Sequence, residues 1–414
     1  MITIRVPFQL WVRYLRRIHP PSKYQCGKSR DSRDLISSSE YVRSLVVVMA
    51  STLDSERAVA VLFQSRSLVL NLVSTNPDRE TVLNSVSTRL GARITVTAAA
   101  RLHLGFLDLS GATGRRFGSI GLAISGFKTQ VSVAPAEQMR ISGPESDHVL
   151  AYVNAMRRVL DFGHAYDVRV DQLVPRHAGL GSGTQLALAI AAAMRRLHEL
   201  PLDLRGDAMR LGRGARSGAG IGLFQRGGLV VDGGRESAGA PAPIISHMPF
   251  PDRWRVLVVL DARRHGAHGT DEAAAFAGLP PASDADAGHL CRLLVMKLLP
   301  AIAELDLAAF GSALEEMQSR LGEYFAPAQG GHRFVSADVA AALGLLQRAG
   351  AVGIGQSSWG PTGYAFAPSP ETANQILDEA HRHPDSKGVD IHICRGLNSG
   401  ADITVHAPAD APES

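Results

Sequence analysis

The sequence predicts an α+β protein in which strands come first and most of the helices follow. Three observations lead to this fold class. Alternating apolar and polar residues dominate 91–175, helical periodicity dominates 288–382, and ββα units recur along the chain. A length of 414 residues suffices for two or three domains, and a hydrophobic content of 45% suffices for a proper core.

Residues 1–90 lack a repeated pattern of strands and helices, so we expect an N-terminal extension that is partly disordered. Residues 1–48 carry nine Lys or Arg against three Asp or Glu, a net charge of +6. Since the whole chain carries only +4, the basic excess is local, and we expect no nucleic-acid partner. No apolar run is long enough to span a membrane, and three scattered cysteines fit a reducing cytoplasm.

A Pro/Ala-rich connector at 237–251 divides the remaining sequence, and we place two domains at 91–245 and 250–405. The elements predicted in the first domain are strand pairs in 92–111 and in 119–135, a helix over 146–162, a strand over 165–175, a helix ending at Pro201 and a strand over 227–234. Those predicted in the second are a strand over 253–262, helices near 288–305, 306–323, 336–349 and 370–382, a glycine-rich loop at 353–363 and a strand over 388–394. Residues 406–414 should form a disordered tail.

The stretch HAGLGSGTQLALAIAAAMRRL, residues 177–197, joins a glycine-rich turn to an alanine-rich helix. Gly179, Gly181 and Gly183 allow the backbone to turn tightly, while Ser182 or Thr184 can cap the helix and offer a hydroxyl. Free N–H groups and the helix dipole then favour an anion such as phosphate. No Gly-Lys-Ser/Thr follows, so this is not a Walker A loop. The alternative is a turn needed only for packing.

The stretch RLHLGFLDLSGATGRRFGSIGLAI, residues 101–124, places polar side chains among apolar ones. Arg101, His103 and Asp108 should project from a pair of strands. Arg115 and Arg116 lie in a glycine-flanked loop from which a guanidinium can grip phosphate oxygens. An ordinary solvated loop for the arginines and a structural role for His103 are the alternatives.

Two further glycine-rich stretches carry candidate ligand contacts. In RGARSGAGIGLFQRGGLVVDGG, residues 213–234, Arg216 is the favoured anion contact. In GIGQSSWGPTGYAF, residues 353–366, Trp359 can stack on an aromatic ring, and three neighbours can hydrogen-bond a polar substrate. Those neighbours are Gln356, Ser357 and Ser358. A loop with a hairpin, and a buried structural tryptophan, are the respective alternatives.

Together and in this order, the four stretches resemble the motifs of the GHMP superfamily of small-molecule kinases. The resemblance covers about 91–405 and implies a two-domain α+β fold with the ligand in a cleft between the domains. Many of these kinases have a catalytic Asp in a PSGxD stretch. Here RSGAGIG has Gly220 at that position, and a glycine cannot take a proton from an attacking hydroxyl.

The details RLHLGFLDL, GLGSGTQLALA, RSGAGIGLFQRGG and GQSSWGPTGY are most similar to the β-ribofuranosylaminobenzene 5′-phosphate synthase family. The resemblance implies condensation of 4-aminobenzoate with phosphoribosyl pyrophosphate, with release of CO2 and pyrophosphate, in methanopterin (tetrahydromethanopterin) biosynthesis. It also implies Mg²⁺ as cofactor and a homodimer. The protein alone is not expected to build a metal site, because His265 and His268 form a pair without further ligands.

The same resemblance implies roles for individual residues. Asp108 and Arg115 are the predicted catalytic residues: Arg115 grips pyrophosphate, and Asp108 contacts Mg²⁺ or the ribose hydroxyls or steadies the developing cation. The predicted phosphate-binding residues are Gly179, Gly181, Ser182, Gly183 and Thr184. The predicted substrate-binding residues are Arg101, His103, Arg216, Gln356, Ser357, Ser358 and Trp359, with Trp359 flanking the arene.

Several alternatives stay open at this point. An ATP-dependent GHMP kinase and a non-catalytic ligand sensor on the same fold are the rival functions. The loop at 179–184 can hold either the 5′-phosphate or the pyrophosphate. Either 4-aminobenzoate or 4-hydroxybenzoate can be the arene, since both carry an electron donor para to the carboxylate.

Overall fold

The computed structural model describes residues 92–160, 163–236, 240–264, 266 and 275–407, together with the backbone of three N-terminal strands. These strands, β1 (Val46–Met49), β2 (Arg57–Gln64) and β3 (Ser67–Ser74), form an antiparallel sheet in that order. They belong to a unit of their own, Met1–Val82. The rest of the predicted extension lies outside the described residues.

Residues Leu83–Ser414 form the second unit, which carries two sheets and, in its described part, nine α-helices. Its elements up to the predicted connector are β4 (Arg93–Asp108), β5 (Phe117–Ala136), β6 (Arg140–Ser142), α1 (Ser146–Leu160), β7 (Ala165–Gln172), α2 (Ser182–Leu197), α3 (Leu204–Arg210), α4 (Ala219–Arg226), β8 (Leu229–Asp232) and β9 (Ile244–Met248). Its later elements are β10 (Arg255–Leu260), α5 (Asp284–Leu293), α6 (Leu299–Ala303), α7 (Leu307–Phe325), α8 (Ala337–Arg348), β11 (Val352–Gln356), β12 (Thr362–Ala367), α9 (Pro370–His381), β13 (Asp390–Arg395) and β14 (Asp402–His406).

The first sheet has the order β14-β4-β5-β7-β6, with β8 also paired to β5 and β9 to β8. β4 and β5 are single long strands, so the predicted strand pairs in 92–111 and 119–135 are wrong. Register shifts between Ala99 and Ala100 and between His103 and Gly105 let β4 continue where the sequence pattern is interrupted. Burial alternates along the first half of β4, whereas residues 102–107 are buried on both faces.

Helices α1 and α2 bury an apolar face against the first sheet. α2 is almost entirely buried because its alanines allow close approach to the strands, and it ends before Pro201 as predicted. The helix predicted over 146–162 is α1, which ends at Leu160 in the described residues. These two helices hold the glycine-rich turn 179–181 at one end of the sheet.

The second sheet has the order β11-β12-β10-β13 and is antiparallel throughout. Both faces of β10 are buried: Leu257 and Val259 pack with α8 and α9, and Val256 and Val258 pack with α7. The predicted loop at 353–363 is instead the end of β11, a turn, and the start of β12. The helix predicted near 288–305 is broken into α5, a π-helical turn over 294–298 and α6.

The two sheets share a core, and the chain crosses between them twice. Leu102 and Leu104 of β4 lie in the same apolar cluster as Phe310 and Met317 of α7. After β13 the chain returns, and β14 pairs with β4, so residues 402–406 lie in the first sheet although they were placed in the second domain. His406 ends β14, while 408–414 of the predicted tail lie outside the described residues. None of the described helices is long and apolar enough to cross a membrane.

Candidate active site

The glycine-rich turn before α2 adopts the geometry that the sequence predicts. Gly179 and Gly181 have φ values of 84° and 82°, in the left-handed region that favours glycine. A Cβ at Gly179 would lie 2.1 Å from the carbonyl oxygen of Ser357, so no side chain fits there. Gly181 itself precedes the helix, and no side chain caps it, contrary to the capping role expected of Ser182 or Thr184. A helix start with no side-chain cap is one at which an anion is favoured.

A cavity of about 380 Å³ lies in front of this turn, and its lining is strongly cationic. The charged and titratable residues of its lining are Arg101, Arg176, Arg213, His148, His177 and Glu145. Glu145, the single acidic group of this lining, forms an ion pair with Arg176, and its Oε2 lies 3.1 Å from His148 Nδ1. We call this space the loop cavity. Its size and charge suit a ligand with several phosphates.

Arg101 reaches the loop cavity from β4, as predicted. Its backbone N–H donates to the carbonyl of Leu180 at 3.0 Å, which ties β4 to the turn. Its side chain lies close to both Gly181 and Gly220. A Cβ added at Gly181 would be 2.6 Å from Arg101 Cγ, and one added at Gly220 would be 3.3 Å from Arg101 Nε. Gly220 belongs to α4 and faces Arg101 and Thr184, so the position at which many related kinases carry an acid adjoins a cation here.

Arg213 is a cavity residue that the sequence analysis missed. Its guanidinium lies against the first turn of α2, where a Cβ on Gly183 would be 3.0 Å from Nη1. Its Cζ is 5.4 Å from the ring centroid of Tyr152, and Nη2 also donates to the Tyr152 hydroxyl. Burial lowers the pKa of Arg213. Arg216, the predicted anion contact, is not part of the cavity lining and instead lies over the Phe276 ring, 5.2 Å from its centroid. Nothing in the local sequence distinguishes the two arginines.

His103 lies two residues beyond Arg101 on the same face of β4, about 7 Å along the strand. It is 3% exposed, and its Nε2 is buried with no hydrogen-bond partner among the described residues. Burial, and then the charge of Arg101, lower the pKa of His103 to about 3, so its ring is neutral at pH 7. The ring borders a small cavity of about 30 Å³, which we call the aromatic cavity. Its lining also includes Phe106, Phe325, Arg333, Ser358 and Trp359.

The predicted contacts at 356–359 hold the site together in this structure. The Ser357 hydroxyl accepts from the His103 N–H at 3.0 Å and donates to the Gly179 carbonyl at 2.8 Å, so it joins three motifs at one buried point. The Gln356 Oε1 accepts a hydrogen bond from the Val335 N–H, and its Nε2 donates to Gln329 Oε1 and to the Ser358 carbonyl. Trp359 is 6% exposed. It stacks on Phe276 with ring centroids 4.6 Å apart.

Asp108 and Arg115, the predicted catalytic pair, lie at the far end of β4 and are not among the residues that line either cavity. Asp108 Oδ1 accepts from the N–H groups of Ser110 and Gly111 and from the Ser110 hydroxyl, at 2.7–2.9 Å. Arg115 donates to the carbonyls of Gly233 and Gly234 and pairs with Glu236. All these contacts lie within the hairpin end, by which we mean residues 108–117 and 232–236.

The donor groups present suit a metal ion that arrives with its substrate. Among the described residues, no three His, Cys, Asp or Glu side chains gather into a metal site, and the pair His265 and His268 lies outside them. The loop cavity offers the hydroxyls of Ser182 and Thr184 and the carboxylate of Glu145. This set fits Mg²⁺, which commonly binds through one or two carboxylates together with substrate phosphates and water.

Comparison with known proteins agrees with this geometry. The family model for the GHMP kinases N terminal domain matches residues 147–224, and that for GHMP kinases C terminal matches residues 298–385. A β-ribofuranosylphenol 5′-phosphate synthase of Archaeoglobus fulgidus is 32% identical over 322 residues, 74% of this chain and 98% of that protein. One from Methanocaldococcus jannaschii is 30% identical over 326 residues, 69% of this chain and 93% of that protein.

Solved structures show the same fold at low sequence identity. Homoserine kinase from Cytophaga hutchinsonii is 19% identical with a TM-score of 0.54, covering 75% of this chain and 97% of that one. Mevalonate kinase from L. major is 17% identical with a TM-score of 0.55, covering 74% and 96%. The predicted α+β fold of the GHMP type is thereby confirmed.

Proposed function

The chain belongs to the β-ribofuranosylphenol 5′-phosphate synthase family of the GHMP superfamily, and from this premise we propose that it condenses phosphoribosyl pyrophosphate with a para-substituted benzoate. The products are an aryl riboside 5′-phosphate, CO2 and pyrophosphate. The enzyme is accordingly a glycosyltransferase that eliminates the carboxylate of its acceptor, and we assign it to methanopterin biosynthesis.

The reaction balances without any oxidant or reductant. The bond from ribose C1 to pyrophosphate breaks, and its electron pair leaves with the pyrophosphate. The ring carbon that bears the carboxylate forms a bond to C1, driven by the para amino or hydroxyl group. The bond to the carboxylate then breaks, and its electron pair restores the aromatic ring as CO2 departs. Positioning and electrostatic stabilisation are the large contributions in such chemistry.

The observation that carries this proposal is the placement of Arg101 and His103 on one face of β4. The first side chain borders a cationic cavity beside a helix N-terminus, and the second borders a cavity lined by aromatic rings. A phosphate-rich donor and an aromatic acceptor need two such sites side by side. Gly220 favours the same conclusion over a kinase, because this chain has no acid at the position where many GHMP kinases have their catalytic base, although some members of the superfamily work without it.

We propose that the neutral His103 positions the arene through Nε2, which has no other described partner. Arg333, in the same lining, has the charge to face the arene carboxylate until it is lost. The aromatic cavity holds little more than one water molecule, so arene binding requires its aromatic side chains to move. Trp359 and Phe276 form the stack that the arene would border.

Asp108 and Arg115 stay in the proposal as catalytic residues, on the resemblance of their motif. Arg115 would grip the leaving pyrophosphate, and Asp108 would contact Mg²⁺ or the ribose, or steady the positive charge at C1. Both side chains would have to leave their present partners at the hairpin end to do so.

We also propose that Mg²⁺ is required and that the enzyme is a cytoplasmic homodimer. Bound to the pyrophosphate beside Ser182 and Thr184, Mg²⁺ would neutralise negative charge on the leaving group. Omission of Mg²⁺ should abolish turnover, and light scattering on the purified chain should give twice the mass of 44.1 kDa.

The proposed function is tested by release of carboxyl carbon. The protein is incubated with phosphoribosyl pyrophosphate, Mg²⁺ and either 4-aminobenzoate or 4-hydroxybenzoate labelled at the carboxyl. We expect labelled CO2 only when all components are present, and the two rates decide which arene is preferred. The names of the two archaeal relatives indicate a phenol product for those proteins. Absence of labelled CO2 with both arenes would overturn the proposal.

Two controls separate the rival functions. Consumption of ATP that depends on an alcohol substrate would indicate a kinase instead. Tight binding of phosphoribosyl pyrophosphate with no product would indicate a ligand sensor.

A further inference from the structure

Two arginines border the glycine-rich turn, and they have different neighbours. Arg101 lies against Gly181 and Gly220 and shares a strand face with His103. Arg213 lies against Gly183 and the Tyr152 ring, on the side of the loop cavity that α1 forms. The loop cavity therefore has an Arg101 side, next to the aromatic cavity, and an Arg213 side, next to α1.

The positive charges on the α1 side are unequally compensated. Arg176 pairs with the carboxylate of Glu145. Arg213 has no carboxylate partner among the described residues, and its Nε is buried without a hydrogen bond to any of them. Holding a guanidinium in this way is unfavourable unless an anion binds to it, because burial removes water from the charge. A ligand with a phosphate at this point would supply the missing partner.

The proposed reaction determines which phosphate that is. Pyrophosphate leaves from ribose C1, and the arene carbon must approach that same atom. The arene site borders His103, which lies about 7 Å along β4 from Arg101. C1 and its pyrophosphate must therefore lie at the Arg101 side, and the opposite end of the ribose points toward α1.

From these placements we infer that Arg213, held by Tyr152, is the receptor of the 5′-phosphate, and that Arg101 with the N-terminus of α2 receives the pyrophosphate. This inference rests on the proposed function, since it takes the donor to be phosphoribosyl pyrophosphate. It assigns to the turn at 179–184 the leaving group rather than the 5′-phosphate. It also makes Arg213 a specificity-determining residue, because a pyrophosphate donor without a 5′-phosphate would leave its charge unpaired.

Two ligands that each carry one end of the donor test the inference. Dissociation constants for ribose 5-phosphate and for inorganic pyrophosphate are measured by calorimetry with Mg²⁺ for the wild-type protein, Arg213→Gln and Arg101→Gln. We expect Arg213→Gln to weaken ribose 5-phosphate at least tenfold and pyrophosphate less than threefold, and Arg101→Gln to do the reverse. Arg213→Lys, which keeps the charge but not the planar fork, should weaken ribose 5-phosphate by an intermediate factor.

Arg196→Gln is the matched control, because Arg196 is an exposed arginine in the last turn of α2, away from the turn at 179–184. It should leave both dissociation constants unchanged. Circular dichroism melting of every variant identifies any that fail to fold, and Arg213→Lys then serves in place of Arg213→Gln.

The opposite pattern, in which Arg213→Gln weakens pyrophosphate alone, would reverse the assignment. Equal losses for both ligands, or a wild-type protein that does not bind ribose 5-phosphate, would also overturn it. The proposed function fails on different evidence, namely no labelled CO2 or no binding of phosphoribosyl pyrophosphate. The two conclusions can therefore fail separately.

Discussion

Two regions that β4 connects carry arginines, but they differ in how those arginines are satisfied: the loop cavity, which β4 borders at Arg101 near its middle, and the hairpin end, which begins at Asp108. At the loop cavity, Arg213 has no described carboxylate partner and Arg101 faces glycines. At the hairpin end, Arg115 donates to two carbonyls and pairs with Glu236. Asp108 there accepts three hydrogen bonds from the turn that follows it.

This difference teaches that a cluster of arginines is not by itself a phosphate site. The loop cavity has charge in excess of its internal partners, so it is ready for an anion. At the hairpin end, Arg115 and Asp108 already have protein partners, and any ligand that binds them must compete with those partners. In the sequence, the arginines of the two regions look alike, because the sequence does not show which partners the fold places beside each of them.

The largest expected effect concerns the hairpin end. We expect Arg115→Gln and Asp108→Asn each to lower kcat about a hundredfold, the size typical of losing a stabilising group in the transition state. Because both side chains keep their present partners in the resting protein and would reach the leaving group only in the transition state, the dissociation constant for pyrophosphate should change less than threefold. Steady-state assays of CO2 release and calorimetry measure the two quantities.

Glu236→Gln is the control for this experiment. It removes the exposed ion-pair partner of Arg115 and should leave kcat near the wild-type value. Near-normal turnover of Arg115→Gln would show that Arg115 only stabilises the hairpin end. The hairpin end would then have a structural role, and the loop cavity alone would bind the donor.

The next effect concerns the pH dependence of stability that arises from His103, which is buried and neutral beside the aromatic cavity. The pKa of His103 is about 3 in the folded protein and about 6.5 when unfolded, so the unfolded chain binds more protons at acidic pH. Its contribution is fully present above pH 6.5 and is lost at about 1.4 kcal/mol per pH unit as the pH falls toward 3. Between pH 6.5 and 5, wild-type protein should therefore lose about 2 kcal/mol more stability than His103→Gln.

Urea unfolding at both pH values measures this difference. His381→Gln, at an exposed position at the end of α9, is the control for a histidine-to-glutamine substitution outside the site. An unchanged pH dependence in His103→Gln would mean that this side chain is not held neutral by burial.

The smallest effect separates two buried hydroxyls. Ser357→Ala removes the bridge between β4 and the turn at Gly179, and it should lower the free energy of unfolding by about 1–2 kcal/mol. The Thr362 hydroxyl is also buried but has no hydrogen-bond partner among the described residues. Thr362→Val should therefore be neutral or stabilising. Equal losses in the two variants would show that the Ser357 bridge contributes nothing particular to the site.

Much of the fold could be predicted because local patterns express it. Helix α2 and the turn before it follow from glycines, an alanine-rich apolar face and Pro201. The register of β4 could not be predicted in the same way. β4 pairs with β5 on both sides of its bulges at Ala99 and His103, so it continues as one strand. In the sequence, the same bulges interrupt the alternation of apolar and polar residues, which therefore predicted two strands. β14 was missed because its partner, β4, lies about 300 residues away in the chain.

The candidate site likewise has residues that the sequence predicted and residues whose contacts only the fold decides. Arg101, His103 and the glycines were predicted from their motifs, and the structure brings them together. Ser357 and Trp359 were predicted as substrate contacts, yet their present partners are protein groups. Arg213 and Arg216 differ by three positions in one glycine-rich stretch. In the fold, Arg213 lies over Tyr152 of α1 and lines the loop cavity, whereas Arg216 lies over Phe276 beyond β10 and does not line it.

By itself, the sequence determined the fold class, the family and the glycine-rich turn before α2, since these depend on residue types at short spacing. Tertiary structure alone decided which charges are already paired. It decided that Gly220 faces Arg101 and that Ser357 joins three motifs, and it left Arg213 without a described carboxylate. The physical reason is that the partner of a charged or polar group is fixed by contacts across hundreds of residues, and those contacts exist only once the sheets and helices have packed.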